Sequence, residues 1–448
     1  MSDVDREGSA PRTGPTAGHL PHLLWNLLLA RGNLIEALQR LFRVRGGKTL
    51  AFRLGPLRAR VTVDPREAHR ILVAEPARHP KTRWEAEVLE PAMEGGLIIL
   101  AGEEWERHHR AVASCFGPAA MARLVTAVSS VARARMSRFG PIVDVSHEMR
   151  CIVNALMFRF FLDGLDLDEV EGSGAIDRYS RLFERIERGL ETRVVDRLFV
   201  RERVRALFRP TQGFWPALSQ VTRPIARALQ GKCPVDGSDE ALDALLRHMT
   251  NDEAAKEIRT LFGAGATTGH LLSWICDLLA RHPAVQDRLR SAILEQVGAV
   301  AEPPVSVLEA IPLLTAVIQE GLRLYPPAPF LLRKDPSGAL HFISVFGMHR
   351  DPDYWARPGD FDPERWTEPG DGQLRLRSPP PGPFIPFGLG PRTCIGKRFA
   401  MLEARAILVE ILRRFELTPA VTSGGPEPVV TILTRPRRPV KLRLRPVA

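Results

Sequence analysis

The run Phe387-Gly388-Leu389-Gly390-Pro391-Arg392-Thr393-Cys394-Ile395-Gly396 reads FxxGxRxCxG, and each fixed residue in it has a physical task. A thiolate is a strong, charge-donating ligand for iron, and it forms where positive potential lowers the thiol pKa. The start of a helix with freed backbone amides supplies such a potential. Cys394 stands just before Phe399, Leu402, Ala406, Val409 and Leu412, whose apolar spacing predicts that helix. Gly388, Gly390 and Gly396 let the backbone approach a flat ring in conformations a side chain would forbid. Arg392 offers a forked cation suited to a carboxylate. The run therefore predicts a haem site with Cys394 as the iron ligand. The bland alternative is a Gly/Pro-rich loop ending in a free buried cysteine.

These residues resemble the cysteine-ligand loop of the cytochrome P450 family, and three further segments fit it in the family's order. Glu320 and Arg323 in IQEGLRLYPP match its ExxR element, FDPERW puts Arg365 where its partner arginine belongs, and LFGAGATTGHLLSW resembles its oxygen-binding helix. The resemblance covers most of the chain. It implies a mainly α fold with a small β-sheet region built from both ends of the chain, in one domain over residues 19–448. It also implies haem b (iron protoporphyrin IX), with Phe387, Gly388, Gly396, Gly263 and Ala264 against the ring.

Composition agrees without deciding. The 448 residues with 44% hydrophobic content can bury a large core, and no composition break resembles a linker. The 62 Lys and Arg against 52 Asp and Glu give a net charge of +10, which suits nucleic acid, a membrane surface or an acidic protein. No nucleic-acid motif is visible. Lys397 and Arg398 beside the ligand cysteine fit a basic face for an acidic ferredoxin or flavodoxin with its NAD(P)H reductase. Cys115, Cys151, Cys233 and Cys276 show no CxxC pairing and are expected to be packing residues of a reduced, cytoplasmic protein. Residues 1–18 read as a disordered tail, and the apolar run Leu23 to Ala30 is too short for a membrane anchor. A soluble monomer is the expectation.

Alternating patterns predict strands at TLAFRL and LRARVTV, joined at Gly55-Pro56, and at VVTIL and VKLRL. Tyr179, Leu182, Phe183, Ile186 and Leu190 mark a helix whose arginines, recurring to Arg209, read as a solvated face; the resemblance makes this region the lid of a substrate pocket. Trp366 to Pro386, full of Pro and Gly, reads as an irregular meander.

A helix of about thirty residues is predicted between the capping-box pair Thr250 and Glu253 and the stop Arg281-His282-Pro283. Its interior Gly263, Gly265 and Gly269 each cost up to about 1 kcal/mol relative to Ala. They require a close neighbour, either another helix or, given Cys394, the haem and its dioxygen. The resemblance places Thr267 at the family's catalytic threonine, with Thr268 beside it. Where the family usually carries an acid, this chain has Ala266. Thr267 can hold water or bond a carbonyl one turn back. His270 lies on nearly the same face; an ordinary packed histidine is favoured over a proton donor.

For the haem carboxylates the resemblance points to Arg392, Arg333, Trp105 and, because WxxxR here reads Trp105 to His109 with Arg110 one place late, to the weaker donor His109. Glu320, Arg323 and Arg365 are expected to form a buried structural network. The segment KDPSGALHFISVFGM is shorter than the family's pattern, so part of a hairpin is expected to be reduced there. Ala266, His270, Thr431 and Ile432 are the expected pocket residues.

The resemblance implies a monooxygenase of secondary metabolism. It would insert one atom of O2 into a small-to-medium hydrophobic substrate, such as a terpenoid, fatty acid or polyketide, using electrons from a separate partner. Ala266 opens two rivals, a peroxygenase and a non-oxidative haem-thiolate enzyme. A third is a non-catalytic haem protein that recruits or senses.

Overall fold

The computed structural model describes residues 42, 47–54, 57–199, 213–235, 237–238, 240–370, 374–379, 382–421 and 424–447. The expected tail, the Leu23 to Ala30 run, the Gly55-Pro56 turn and the arginines from 200 to 209 lie outside these residues.

In chain order the elements that matter here are strands β1 (Thr49–Leu54) and β2 (Leu57–Thr62), then helices α1 (Arg83–Met93), α2 (Gly102–Ser114) and α3 (Pro118–Met136). Strand β3 (Ile142–Asp144) leads into α4 (Val145–Phe161), α5 (Ala175–Phe199) and α6 (Phe214–Leu229). Next come α7 (Asn251–Arg281), α8 (Pro283–Val297) and α9 (Pro312–Leu324). The chain closes with β4 (Phe330–Lys334), β5 (Leu340–Ser344), α10 (Lys397–Leu412), β6 (Phe415–Pro419), β7 (Pro428–Val430), β8 (Thr434–Pro436) and β9 (Lys441–Pro446). The fold is mainly α with small sheets.

Helix α7 starts and stops where its signals stand. Thr250 Oγ1 accepts from the Glu253 N–H at 3.3 Å while the Glu253 carboxylate accepts from the Thr250 N–H at 2.9 Å, and His282 caps the far end. From Gly265 to Ala280 every residue but Thr267 is buried, as expected of a helix that passes through a core rather than lying on one. Its glycines resolve the two readings. A Cβ at Gly265 would stand 3.1 Å from Met157 Cγ, and one at Gly269 would stand 3.4 Å from Arg150 Cα, so these two seat α4. Gly263 meets only the tip of Met93, at 2.7 Å. The seam explains two glycines and leaves one for the cavity.

The sheets differ from expectation. β1 and β2 form the predicted hairpin, but β2 pairs in parallel with β5, in the order β1-β2-β5-β4. The C-terminal strands go elsewhere: β7 and β8 form their own ribbon, and β9 lies between β3 and β6. Among the described residues no sheet is built from both chain ends, because a two-residue alternation marks a strand without naming its partner. The segment expected to be shortened carries a hairpin. β4 and β5 pair over five residues each, turning through Gly338 at φ 83°. In the meander, Thr367–Pro369 and Leu374–Leu376 make a short ribbon. Cys115, Cys151 and Cys276 are buried, with burial pushing each thiol up to about 12. Cys233 is exposed, not packed. On α5, Arg181, Arg185 and Arg188 face solvent.

Candidate active site

The ligand loop is shaped by its own backbone. The Cys394 N–H donates to Phe387 O at 2.8 Å and the Thr393 N–H to Gly390 O at 3.0 Å. Gly388 and Gly390 sit at φ 74° and 70°, in the left-handed region. A Cβ on Gly390 would stand 2.0 Å from Leu72 O, so its close approach is to the backbone of residues 70–74 and not to a ring. Gly396, at φ −86°, leads directly into α10. Cys394 opens onto an internal cavity of about 460 Å3 that Phe387, Gly388 and Gly396 also line. Burial raises its thiol above the ordinary value, against the pull of the Gly396 N–H and the Lys397 charge. The expected net lowering by the helix start is therefore outweighed by burial.

Helix α7 supplies a second wall. Glu257, Leu261, Ala264 and Thr268 step along one face by four, three and four residues, and all line the cavity, with Gly263, Ala266 and Thr267 beside them. Thr267 Oγ1 donates to Ala264 O at 2.7 Å, the carbonyl bond that was one of its two expected uses. Thr268 is buried against Glu403 of α10. Burial pushes the Glu403 carboxyl up to about 8, only partly opposed by the Thr268 hydroxyl. Two expected pocket residues are not in the wall. His270 turns to α5, where its Nε2 lies 3.1 Å from Glu187 Oε2. Thr431 Oγ1 donates to Glu191 Oε1 at 2.7 Å, while its neighbour Ile432 does line the cavity. In both cases a carboxylate on α5 captures the polar group. Phe183, Ile186 and Leu190 of α5 form the roof.

A cluster of cations flanks the loop. Arg392 donates to Leu100 O at 2.9 Å and lies over the Trp105 ring, 3.9 Å from its centroid. The Trp105 and His109 rings lie 4.8 Å apart, tilted by 40°, and both line the cavity; Arg110 points to solvent. Burial and the neighbouring Arg333 charge lower the Arg392 guanidinium to about 10. Arg333 is itself buried behind the wall, bonded to Leu332 O at 2.7 Å. Lys81, which no motif marks, completes the group. Its ammonium is lowered by burial and by Arg333 and Arg392, and is held by Glu85 at 3.2 Å and Ile98 O at 2.9 Å. Three cations, Arg333 buried and Lys81 and Arg392 half-buried, face one carboxylate. That excess of positive charge beside an apolar cavity with a thiol in its wall fits a flat, dianionic iron porphyrin.

Behind the loop, Glu320 and Arg323 are wholly buried and pair at 2.7 and 2.8 Å. Arg365 Nε and Trp366 Nε1 reach Glu320 at 3.3 and 2.9 Å. Arg323 also donates to the carbonyls of His349, Pro358 and Asp360. This pair stitches α9 to the meander and does not touch the cavity.

Comparison with known proteins gives a consistent answer. The family model for cytochrome P450 matches residues 15–444. Among curated proteins the chain is 26% identical to cytochrome P450 734A6 of Oryza sativa subsp. japonica, over 89% of this chain and 80% of that protein. It is 35% identical to cytochrome P450 3A29 of Sus scrofa over 45% of this chain and 41% of that one. The heme domain of cytochrome P450DA superposes with a TM-score of 0.79 at 19% identity, covering 97% of this chain and 96% of that domain. The retinoic acid bound cyanobacterial CYP120A1 does so with 0.75 at 21% identity, covering 91% and 94%.

Proposed function

Because the chain belongs to the cytochrome P450 family, and is thus a haem-thiolate monooxygenase that takes O2, a substrate and a redox partner, we propose that Cys394 would supply the thiolate ligand of a haem b. The single observation that carries this is the Cys394 thiol in the wall of the apolar cavity, with the cation cluster beside it. When bound, such a haem activates O2 for insertion into a C–H bond, the thiolate favouring O–O cleavage. The protein's residues do the rest. Arg392, Lys81, Trp105 and His109 hold the two carboxylates, with Arg333 adding positive potential from behind. Phe387, Gly388, Gly263 and Ala264, which line the cavity, would hold the ring. Thr267 and Thr268 would hold water in the cavity. Glu320, Arg323 and Arg365 keep the meander in place.

The substrate is hydrophobic and small to medium, of terpenoid, fatty acid or polyketide type, since the roof of α5 and Ile432 offer mostly apolar surface. Its oxidation would belong to secondary metabolism. Lys397 and Arg398 are exposed at the start of α10, which suits an acidic ferredoxin or flavodoxin with its NAD(P)H reductase. The chain acts as one domain over residues 19–448, as a cytoplasmic monomer. Among the described residues no single helix is long and apolar enough to cross a membrane. One second reading has support of its own: the buried Ala266 leaves no carboxyl beside Thr267, which favours peroxide as the oxidant. The deciding experiment is the reduced carbon monoxide spectrum of the wild type and of Cys394→Ala. The red-shifted Soret band of a thiolate haem is expected in the first and absent from the second; its persistence in the variant would defeat the assignment.

A further inference from the structure

The histidine pair in GEEWERHHR splits. His109 faces the cavity with Trp105, whereas His108 is buried against α7, its Nδ1 only 2.6 Å from Glu257 Oε1. Glu257 is fully buried, lines the cavity, and leaves its Oε2 without a hydrogen-bond partner. At the outer end His108 Nε2 lies 3.2 Å from Arg107 and 4.0 Å from Glu253 Oε1. Glu253 and Arg107 are themselves joined at 2.5 Å, and their side chains are 27% and 42% exposed. A line of titratable groups thus runs from the surface to the cavity wall: Glu253, His108, Glu257. The other groups facing it are the Leu97 N–H, which with His108 opposes the upward push of burial on Glu257, and the Cys115 thiol.

Burying an ionisable pair costs several kcal/mol per ion where apolar residues would pack as well. A purely structural reason for this pair at a helix seam is therefore weak. The reaction supplies another. Oxidation of R–H by O2 with two electrons takes two protons and releases R–OH and water, and beside Thr267 the chain has Ala266 where a proton donor would help. Glu257 lies ten residues before Thr267 on α7, about 15 Å along the axis, on the cavity-facing stripe.

We propose that His108 and Glu257 form a proton inlet, filled from the surface at Glu253 and emptied into cavity water on the Thr267 side. The idea rests on the monooxygenase reading. His108 passes its Nδ1 proton to Glu257 Oε1 and takes a replacement at Nε2 from the partly exposed Glu253 carboxyl, which refills from solvent. Glu257 releases a proton from Oε2 to water in the cavity; rotation of its carboxyl then carries the proton gained at Oε1 to the Oε2 position, and proton exchange that removes Nε2–H and returns Nδ1–H restores the starting tautomer.

The test uses the haem-loaded enzyme with its redox partner and the variants Glu257→Gln, His108→Asn and Glu253→Gln. The last keeps an amide that can still close the capping box. Glu257→Gln and His108→Asn should keep the thiolate carbon monoxide band and the substrate-induced spin shift. Their O2-driven product formation should fall about tenfold or more, with a larger solvent deuterium isotope effect. Turnover with hydrogen peroxide, which brings its own two protons and two electrons, should change little. Difference infrared spectra should show a protonated buried carboxyl that Glu257→Gln removes and His108→Asn shifts. Should neither inner variant fold, Glu253→Gln carries the same comparison, with a smaller loss. Wild-type O2-driven rates and isotope effects in the variants would overturn the inlet, as would equal losses with O2 and with peroxide, which mark a structural role. A wild type without the thiolate band would instead overturn the reading of the whole site.

Discussion

Single residues divide into those whose task is local and those whose task is set by a distant partner. The backbone of the ligand loop is local: Cys394, Gly388 and Gly390 adopt their conformations within ten residues, so the loop was legible in the sequence. Lys81 was not, because it gains meaning only from Arg333 and Arg392, some 250 and 310 residues on. Nor were Glu403 beneath Thr268 and Glu257 beside His108, each of which looks like an ordinary helix-surface acid. Lys81 tests whether the cation cluster is a haem clamp. Lys81→Gln removes one of three like charges, which should ease the repulsion on Arg392. If the cluster exists for a dianion, the variant nonetheless loses haem to an apoglobin acceptor about tenfold faster, the worth of one charge-assisted bond. Slower or unchanged loss would mean that the three cations serve the fold alone. Arg392→Gln should act in the same direction and more strongly, because it also leaves the Trp105 face bare.

At the scale of elements, what could be read beforehand was what each element announces at its own ends. The caps of α7 and the apolar spacing of α5 and α10 predicted helices that the structure contains. Strand pairing was misread for the complementary reason: β2 seeks β5 across some 280 residues, and nothing in either segment specifies the other. The pocket residues Thr431 and His270 failed likewise, since Glu191 and Glu187 of α5 draw them out of the wall. The network joining α9 to the meander shows how an element is held by charge. Glu320 accepts from Arg323, Arg365, Trp366 and the Asp362 N–H. Glu320→Gln strands the Arg323 guanidinium in a wholly buried position, and a broken buried pair costs about 3–5 kcal/mol. A drop of that size in urea-unfolding free energy is expected, together with loss of haem during expression. A variant that keeps its stability while losing turnover would make Glu320 catalytic and contradict its distance from the cavity.

Across the whole molecule the buried titratable groups pull stability in opposite directions, and the balance is measurable. His349 ties α9 to the loop: its Nε2 accepts from the Ile385 N–H at 3.0 Å and its Nδ1 lies 3.3 Å from Leu322 O. Burial holds it neutral down to about pH 3, and His341 down to about pH 4, against an ordinary 6.5. Below pH 6.5 the unfolded chain binds protons that the folded one refuses, so stability falls as pH drops, by about 1.4 kcal/mol per pH unit for each group. Glu403 acts the other way. With its carboxyl raised from 4.5 to about 8, the folded chain keeps a proton that the unfolded chain has released, and stability falls as pH rises from 4.5 to 8. Between 4.5 and 6.5 the two histidines outweigh the single acid, and above 6.5 the acid acts alone, so for these three groups stability peaks near pH 6.5. Urea midpoints of the holoprotein across this range should show His349→Asn, whose amide can both donate and accept, flattening the acid limb by one proton. Glu403→Gln should flatten the limb from pH 6.5 to 8 and leave the protein more stable at pH 8 than the wild type. If Glu403→Gln instead weakens the fold at pH 8, the carboxylate there is ionised and paired, and the balance described for α10 is wrong.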